Sequence, residues 1–222
     1  MNDQFAELTA STTYLDIDHP LVLKTAREVA GNINSKVEAA VALFYFVRDE
    51  IRYNPYVPLL IQEDYKASAI LEKGFGFCVQ KALLLSTLCR AVQIPAKVGL
   101  VDIMSHRVPP QLLEAMGTNL FVFHGFADLY LNGKWVKATP AFDRVMCEKM
   151  EYRTVEFDGK IDGVLHATDL KGRKHIEYVK FHGSFADLPY KLMTDNYIDV
   201  YSTTSPILLK QFKQASTNAP KR

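Results

Sequence analysis

Gly74-Phe75-Gly76-Phe77-Cys78-Val79-Gln80-Lys81-Ala82 is the stretch that decides the fold. Two glycines in three residues make a tight turn, and from Cys78 the pattern becomes helical. Ala82, Leu84, Leu85, Leu88 and Ala91 supply the apolar positions, and Gln93-Ile94-Pro95 stops the helix. Cys78 therefore opens a helix. A helix N-terminus carries about half a positive charge and several unpaired N–H groups. Both favour the thiolate, the nucleophilic form of cysteine, and the same N–H groups can hold an oxyanion. Taken alone, the segment fits a buried structural cysteine equally well.

The other cysteines sharpen the contrast. The chain has 222 residues and three Cys, too few and of the wrong parity for a disulfide framework. Cys89 lies between Leu88 and Arg90 in the same helical pattern and reads as a core residue. Cys147 follows the polar run Asp143-Arg144-Val145-Met146, with no glycine turn and no strong helix-start signal, and reads as an incidental surface residue. With 26 Lys+Arg against 25 Asp+Glu, the chain offers no electrostatic reason to bind nucleic acid or an anionic membrane. A hydrophobic fraction of 48% excludes a disordered chain. No window approaches the roughly 20 apolar residues of a membrane span. Met1 to Ala10 carries Asp3 and Glu7 where a secretion signal needs basic residues, so a reducing cytoplasm is the expected compartment. The tail Ser216 to Arg222 is expected to fray.

Working outward, Leu21 to Ala30 and Lys36 to Ile51 read as helices before the cysteine. The second has Ala39, Ala40, Leu43, Phe44 and Val47 at helical spacing. Pro55 keeps Asn54 out of helix, and Ala67 to Leu71 makes a short helical piece. After the cysteine the pattern changes to strands. Lys97 to Met104 is one, and Val108 to Gly117 is a loop with a short helix. Phe121 to Leu131 and Lys134 to Thr139 flank Asn132-Gly133, a two-residue hairpin signal. Leu165-His166 and Ile176 to His182 suggest further short strands. Helices first and an antiparallel sheet after them give an α+β class.

A thiol nucleophile needs a base nearby. His124 stands in Phe121-Val122-Phe123-His124-Gly125-Phe126-Ala127-Asp128-Leu129-Tyr130-Leu131, where alternation puts it on one face with Phe126, Asp128 and Tyr130. A His in an apolar strand is costly unless paired, and Gly125 leaves room for another backbone or a substrate. On its own, such a residue is more often a satisfied structural histidine.

These segments together resemble the transglutaminase-like superfamily. Gly76-Phe77-Cys78, then Arg90-Ala91-Val92-Gln93-Ile94-Pro95-Ala96-Lys97, is similar to its nucleophile helix and following strand, with Gln93 in place of the usual Gly and Lys97 in place of the usual Arg. His124-Gly125-Phe126-Ala127-Asp128-Leu129-Tyr130 resembles its His strand, and Val41 to Tyr53 its opening helix. The resemblance covers about residues 14 to 145. It implies a papain-like core in which a Cys at a helix N-terminus packs on an antiparallel sheet that carries a His. The family completes the site with an Asp, usually in Asp-Pro-Thr, on the strand after the hairpin. Here Thr139-Pro140 puts Thr139 in that slot. Asp143 is the preferred orienter of His124 and Thr139 its rival. Asp128 is four residues along the strand from His124, roughly 13 Å away.

The resemblance implies a core of residues 1–145 with a C-terminal extension, 146–222, packed on it. Much of that extension reads as a solvated, partly β segment that covers one end of the cleft. The implied activity is cysteine-dependent acyl transfer on an amide or ester of a peptide or protein. Cys78 is the nucleophile, His124 the base, and Asp143 or Thr139 the orienting residue. No cofactor or metal is needed. Water as acceptor gives a peptidase or amidase, and an amine gives a transglutaminase. A catalytically inactive binding module and an N-acetyltransferase-like acyl carrier are the alternatives. The second lacks its Arg-Gly-Gly-x-Cys signature here. Neither the acceptor nor the oligomeric state is set by the sequence.

Overall fold

A computed structural model describes residues 5–218, with side chains to 214. The helix that begins at Cys78, α4 (Cys78–Ala91), is buried from Cys78 through Arg90. A helix buried on every side must match each of its polar groups with a partner. Ser86 Oγ donates to Ala82 O and Lys97 O, and Thr87 Oγ1 to Leu83 O. Lys81 Nζ donates to Arg48 O and Ile51 O, the free carbonyls at the end of α2 (Lys36–Glu50). Gln80 Oε1 accepts from Phe77 N–H at the start of α4, and Gln80 Nε2 donates to Asp64 O. The Arg90 guanidinium donates to Ala96 O, Ala10 O and Ala186 O and so gathers three distant segments.

The helices that precede α4 follow their sequence signals. α1 (Pro20–Ala30) starts with Pro at its first position and with His19 Nδ1 accepting Leu21 N–H. α2 starts at Ser35, whose hydroxyl accepts Glu38 N–H. α3 (Ala67–Lys73) ends at Gly74 in the left-handed region. The segment Gly74 to Phe77 differs from a simple turn. Phe75–Gly76 (β2) pairs in parallel with Arg52–Tyr53 (β1), so the approach to Cys78 is tied to the end of α2.

The main sheet is antiparallel, in the order β5-β4-β3-β6, with β3 (Ala96–Ser105), β4 (Leu120–Leu131), β5 (Lys134–Ala138) and β6 (Ile176–Phe185). Asn132 and Gly133 both have positive φ, as a type I′ hairpin turn requires. Helices and an antiparallel sheet in one core give the α+β class. α5 (Pro110–Met116) crosses between β3 and β4, and α6 (Arg144–Met150) follows β5.

The region after 145 departs from its reading. Leu165-His166 is not a strand; only the single bridges Ala138↔Gly163 and Thr168↔Lys174 occur there. β6 extends to Phe185 and adds to the edge of β3. Residues 190–218 are helical, as α7 (Tyr190–Thr204) and α8 (Pro206–Asn218), instead of solvated extension. Met193, Tyr197 and Tyr201 recur every four residues and form the buried face of α7. Of the tail read as fraying, 216–218 close α8 and 219–222 lie outside the described residues. Cys147 is buried on α6, not on the surface; its helix is started by Asp143, whose carboxylate accepts Met146 N–H. No described helix is long and apolar enough to cross a membrane.

Gln93 has φ 61°. That left-handed conformation suits glycine and costs other residues about 1–2 kcal/mol. Since Gln93 is exposed, Gln93→Gly should stabilise the protein by about 1 kcal/mol, seen as a raised Tm in a thermal melt. A lowered Tm would contradict the strain.

Candidate active site

Gly125 marks the closest approach of α4 to the sheet. A Cβ on it would lie 2.5 Å from Val79 Cα and 3.1 Å from Cys78 O. Only glycine fits there without displacing the helix, which answers what the space beside His124 is for. The contact puts the backbone N–H of Gly125 near the Cys78 sulfur, where with the N–H groups of Val79 and Cys78 it favours the thiolate.

Cys78 is 8% exposed and His124 is 3% exposed. Both line two small adjoining cavities of about 40 Å³ each, and Tyr53, Leu112 and Phe121 line both as well. No charged side chain is among the lining residues of either cavity. α7 adds Tyr197 and Tyr201 to the first, and Phe142, Met146 and Tyr152 wall the second. These walls were not legible as site residues in the sequence, because an apolar wall and an apolar core have the same composition.

Burial pushes the Cys78 thiol up to about 11, against the lowering effect of the three N–H donors. Burial also pushes the His124 imidazole down to about 3. Near neutral pH the pair therefore holds one proton, on sulfur, and the imidazole is free to take it.

The two expected orienting residues are placed differently. Asp143 is the N-cap of α6, and its oxygens accept Met146 N–H at 2.8 Å and Tyr53 N–H at 2.9 Å. It ties β1 to α6. Thr139 is 1% exposed. The β4–β5 register pairs Ala127 with Ala138, and one step further it sets Thr139 across from Phe126, on the strand face that carries His124. Thr139 Oγ1 and His124 Nε2 are both buried and have no hydrogen-bond partner among the described residues. Asp128 lies opposite Lys137 and Lys97 and does not line either cavity. Cys89 is fully buried in α4. Lys97, the other departure from the family pattern, rests its ammonium 4.1 Å from the centre of the Trp135 ring. Among the described residues no group of three or more His, Cys, Asp or Glu is placed to hold a metal ion.

Residues 23–140 match the transglutaminase-like superfamily. That span is more than half of the chain, and the protein belongs to this superfamily. Two solved structures are similar to it. One is a candidate cysteine protease from Cytophaga hutchinsonii, at 16% identity and TM-score 0.49 over 83% of this chain and 57% of that one. The other is a candidate protease from Parabacteroides distasonis, at 13% identity and TM-score 0.40 over 60% of this chain and 24% of that one. The chain thus spans little more than half the length of the first and a quarter of the second. No curated protein matches it.

The charge states set a pH dependence. With His124 acting as the base for Cys78, alkylation of Cys78 by iodoacetamide is expected to be nearly flat from pH 5 to 9. In His124→Ala the rate should rise about tenfold per pH unit, tracking the thiolate of a thiol whose pKa lies above the range. A wild-type profile as steep as that of His124→Ala would contradict the pairing.

Proposed function

We propose that the protein is a cysteine hydrolase that cleaves amides or esters flanked by apolar groups. The observation that carries this reading is that Cys78, at a helix N-terminus, and His124 share the walls of one uncharged cleft. Family membership supports it. In the proposed reaction the Cys78 proton passes to His124 as Sγ bonds to the carbonyl carbon. The carbonyl electron pair moves to oxygen, where the N–H groups of the α4 start and Gly125 are available to stabilise it. When the carbonyl re-forms, the bond to the amine or alcohol breaks, and the imidazolium protonates the leaving group. Water, deprotonated by His124, then attacks the thioester and releases the acid and the Cys78 thiol. Water is the acceptor in this reading because the two cavities that Cys78 lines are small and walled by apolar and aromatic side chains.

The cleft also bears on substrate class. Desolvating a charged side chain without a partner is costly, and neither cavity offers one. A peptide with aromatic or aliphatic residues around the scissile bond fits these walls. In this reading Thr139 orients His124 in the reacting complex: Thr139 Oγ1 and His124 Nε2 are both buried and each still lacks a partner among the described residues of the free protein. Asp143 serves as a cap.

Hydrolysis of a fluorogenic peptide amide with aromatic side chains tests this. Cys78→Ala should abolish turnover with the fold intact by circular dichroism, and turnover at the wild-type rate would end the proposal. Thr139→Ala should lower kcat about tenfold, the worth of an orienting hydrogen bond made only in the reacting complex. Asp143→Ala should leave kcat near wild type and cost about 1 kcal/mol of stability through the lost cap. The opposite pattern would return the orienting role to Asp143.

A further inference from the structure

Phe123, the residue before His124, has φ 56°. The other non-glycine residues with positive φ, among those described, are Gln93, Asn132 and Glu151, all in turns or at a helix end. Phe123 alone of the four lies within a strand. Its conformation coincides with a bulge. Val101 pairs with His124 and Ile103 with Phe121, so Val122 and Phe123 together face the single residue Asp102. A bulge bends its strand and re-aims the side chain that follows, and here that side chain belongs to His124.

A bulge strips two N–H groups from the ladder, and both are recovered by side chains from other elements. Val122 N–H donates to Tyr201 Oη of α7 at 2.9 Å. Phe123 N–H donates to Asp102 Oδ1 of β3 at 2.9 Å. The same oxygen accepts from His182 Nε2 of β6 at 2.7 Å. The His182 ring stacks on the Phe123 ring with centroids 4.2 Å apart and planes at 16°. Asp102 and His182 thus grip Phe123 by its backbone and by its ring, and Tyr197 meets that ring edge-on from α7.

We propose that Asp102 and His182 are positioning residues for the acyl-transfer site: they hold the strained bulge at Phe123 and so keep His124 on the cleft wall beside Cys78. The proposal rests on the reading of Cys78 and His124 as a reacting pair. Neither residue lines the cleft, so neither touches substrate. Strain at a residue next to reacting groups persists only where the surroundings over-determine it, and these contacts supply that determination.

The test is the pH profile of Cys78 alkylation by iodoacetamide between pH 5 and 9, read by peptide mapping on the full chain. Asp102→Ala and His182→Ala should each lose the flat profile and acquire the slope of His124→Ala, with the rate at pH 6 reduced at least tenfold. Asp16→Ala is the control. It removes the carboxylate that accepts Ser68 N–H and Oγ–H at the start of α3, and it should lower stability but keep the profile flat. Flat wild-type profiles in both Asp102→Ala and His182→Ala would overturn the proposal. So would a control as steep as they are, since general loosening would then suffice. If Asp102→Ala fails to fold, the His182→Ala profile decides alone. A wild-type profile as steep as that of His124→Ala would remove the acyl-transfer reading, and this proposal with it, which separates the two failures.

Discussion

The contact on which the rest depends is the approach of α4 to β4 at Gly125. With 2.5 Å between a notional Cβ and Val79 Cα, any side chain there would push the helix start off the strand. The cost of a misfit is not only steric. It would withdraw Gly125 N–H from the Cys78 sulfur and separate the cysteine from the residue next to Gly125, which is His124. One glycine therefore links packing to chemistry.

The surroundings keep this contact rigid. α4 is enclosed on all sides, and Gln80, Lys81, Ser86, Thr87 and Arg90 all bond to backbone groups. Buried cations are costly unless their donors are satisfied. Lys81 gives its donors to the end of α2, and Arg90 gives its own to β3, to the N-terminal segment and to the turn after β6. Burial lowers the Lys81 ammonium to about 7, although Asp143 and Asp49 oppose the change. These groups act as struts that fix where α4 begins.

Much of this was legible in the sequence where a local signal was unambiguous. The span of α4 followed from the glycines before Cys78 and the Gln93-Ile94-Pro95 stop. The hairpin followed from Asn132-Gly133, and α2 from its apolar spacing. What could not be read was whatever depended on distant partners. The parallel β1–β2 pairing joins residues over 20 positions apart and contains only two pairs. α7 is amphipathic only in the sense that Met193, Tyr197 and Tyr201 share a face; its Thr, Asp and Tyr content resembles a polar loop. The bulge at Phe123 breaks the alternation of a segment that looks regular, because its cause lies in Asp102, His182 and Tyr201. Asp143 drew attention as an orienting carboxylate because it is the acid nearest after Thr139-Pro140; its bonds from Met146 N–H and Tyr53 N–H join elements far apart in sequence and were not legible there.

The site that results is a cleft with no charged side chain on its walls, lined by both Cys78 and His124, and the proposed chemistry is the transfer of an acyl group to that thiol. Its most direct test is to trap that acyl group. After brief exposure to the p-nitrophenyl ester of an aromatic acid, acid quenching and peptide mapping by mass spectrometry should find the acyl mass on the Cys78 peptide of the wild type, and little or none in His124→Ala. No adduct on Cys78, or equal labelling of Cys89 and Cys147, would contradict the account.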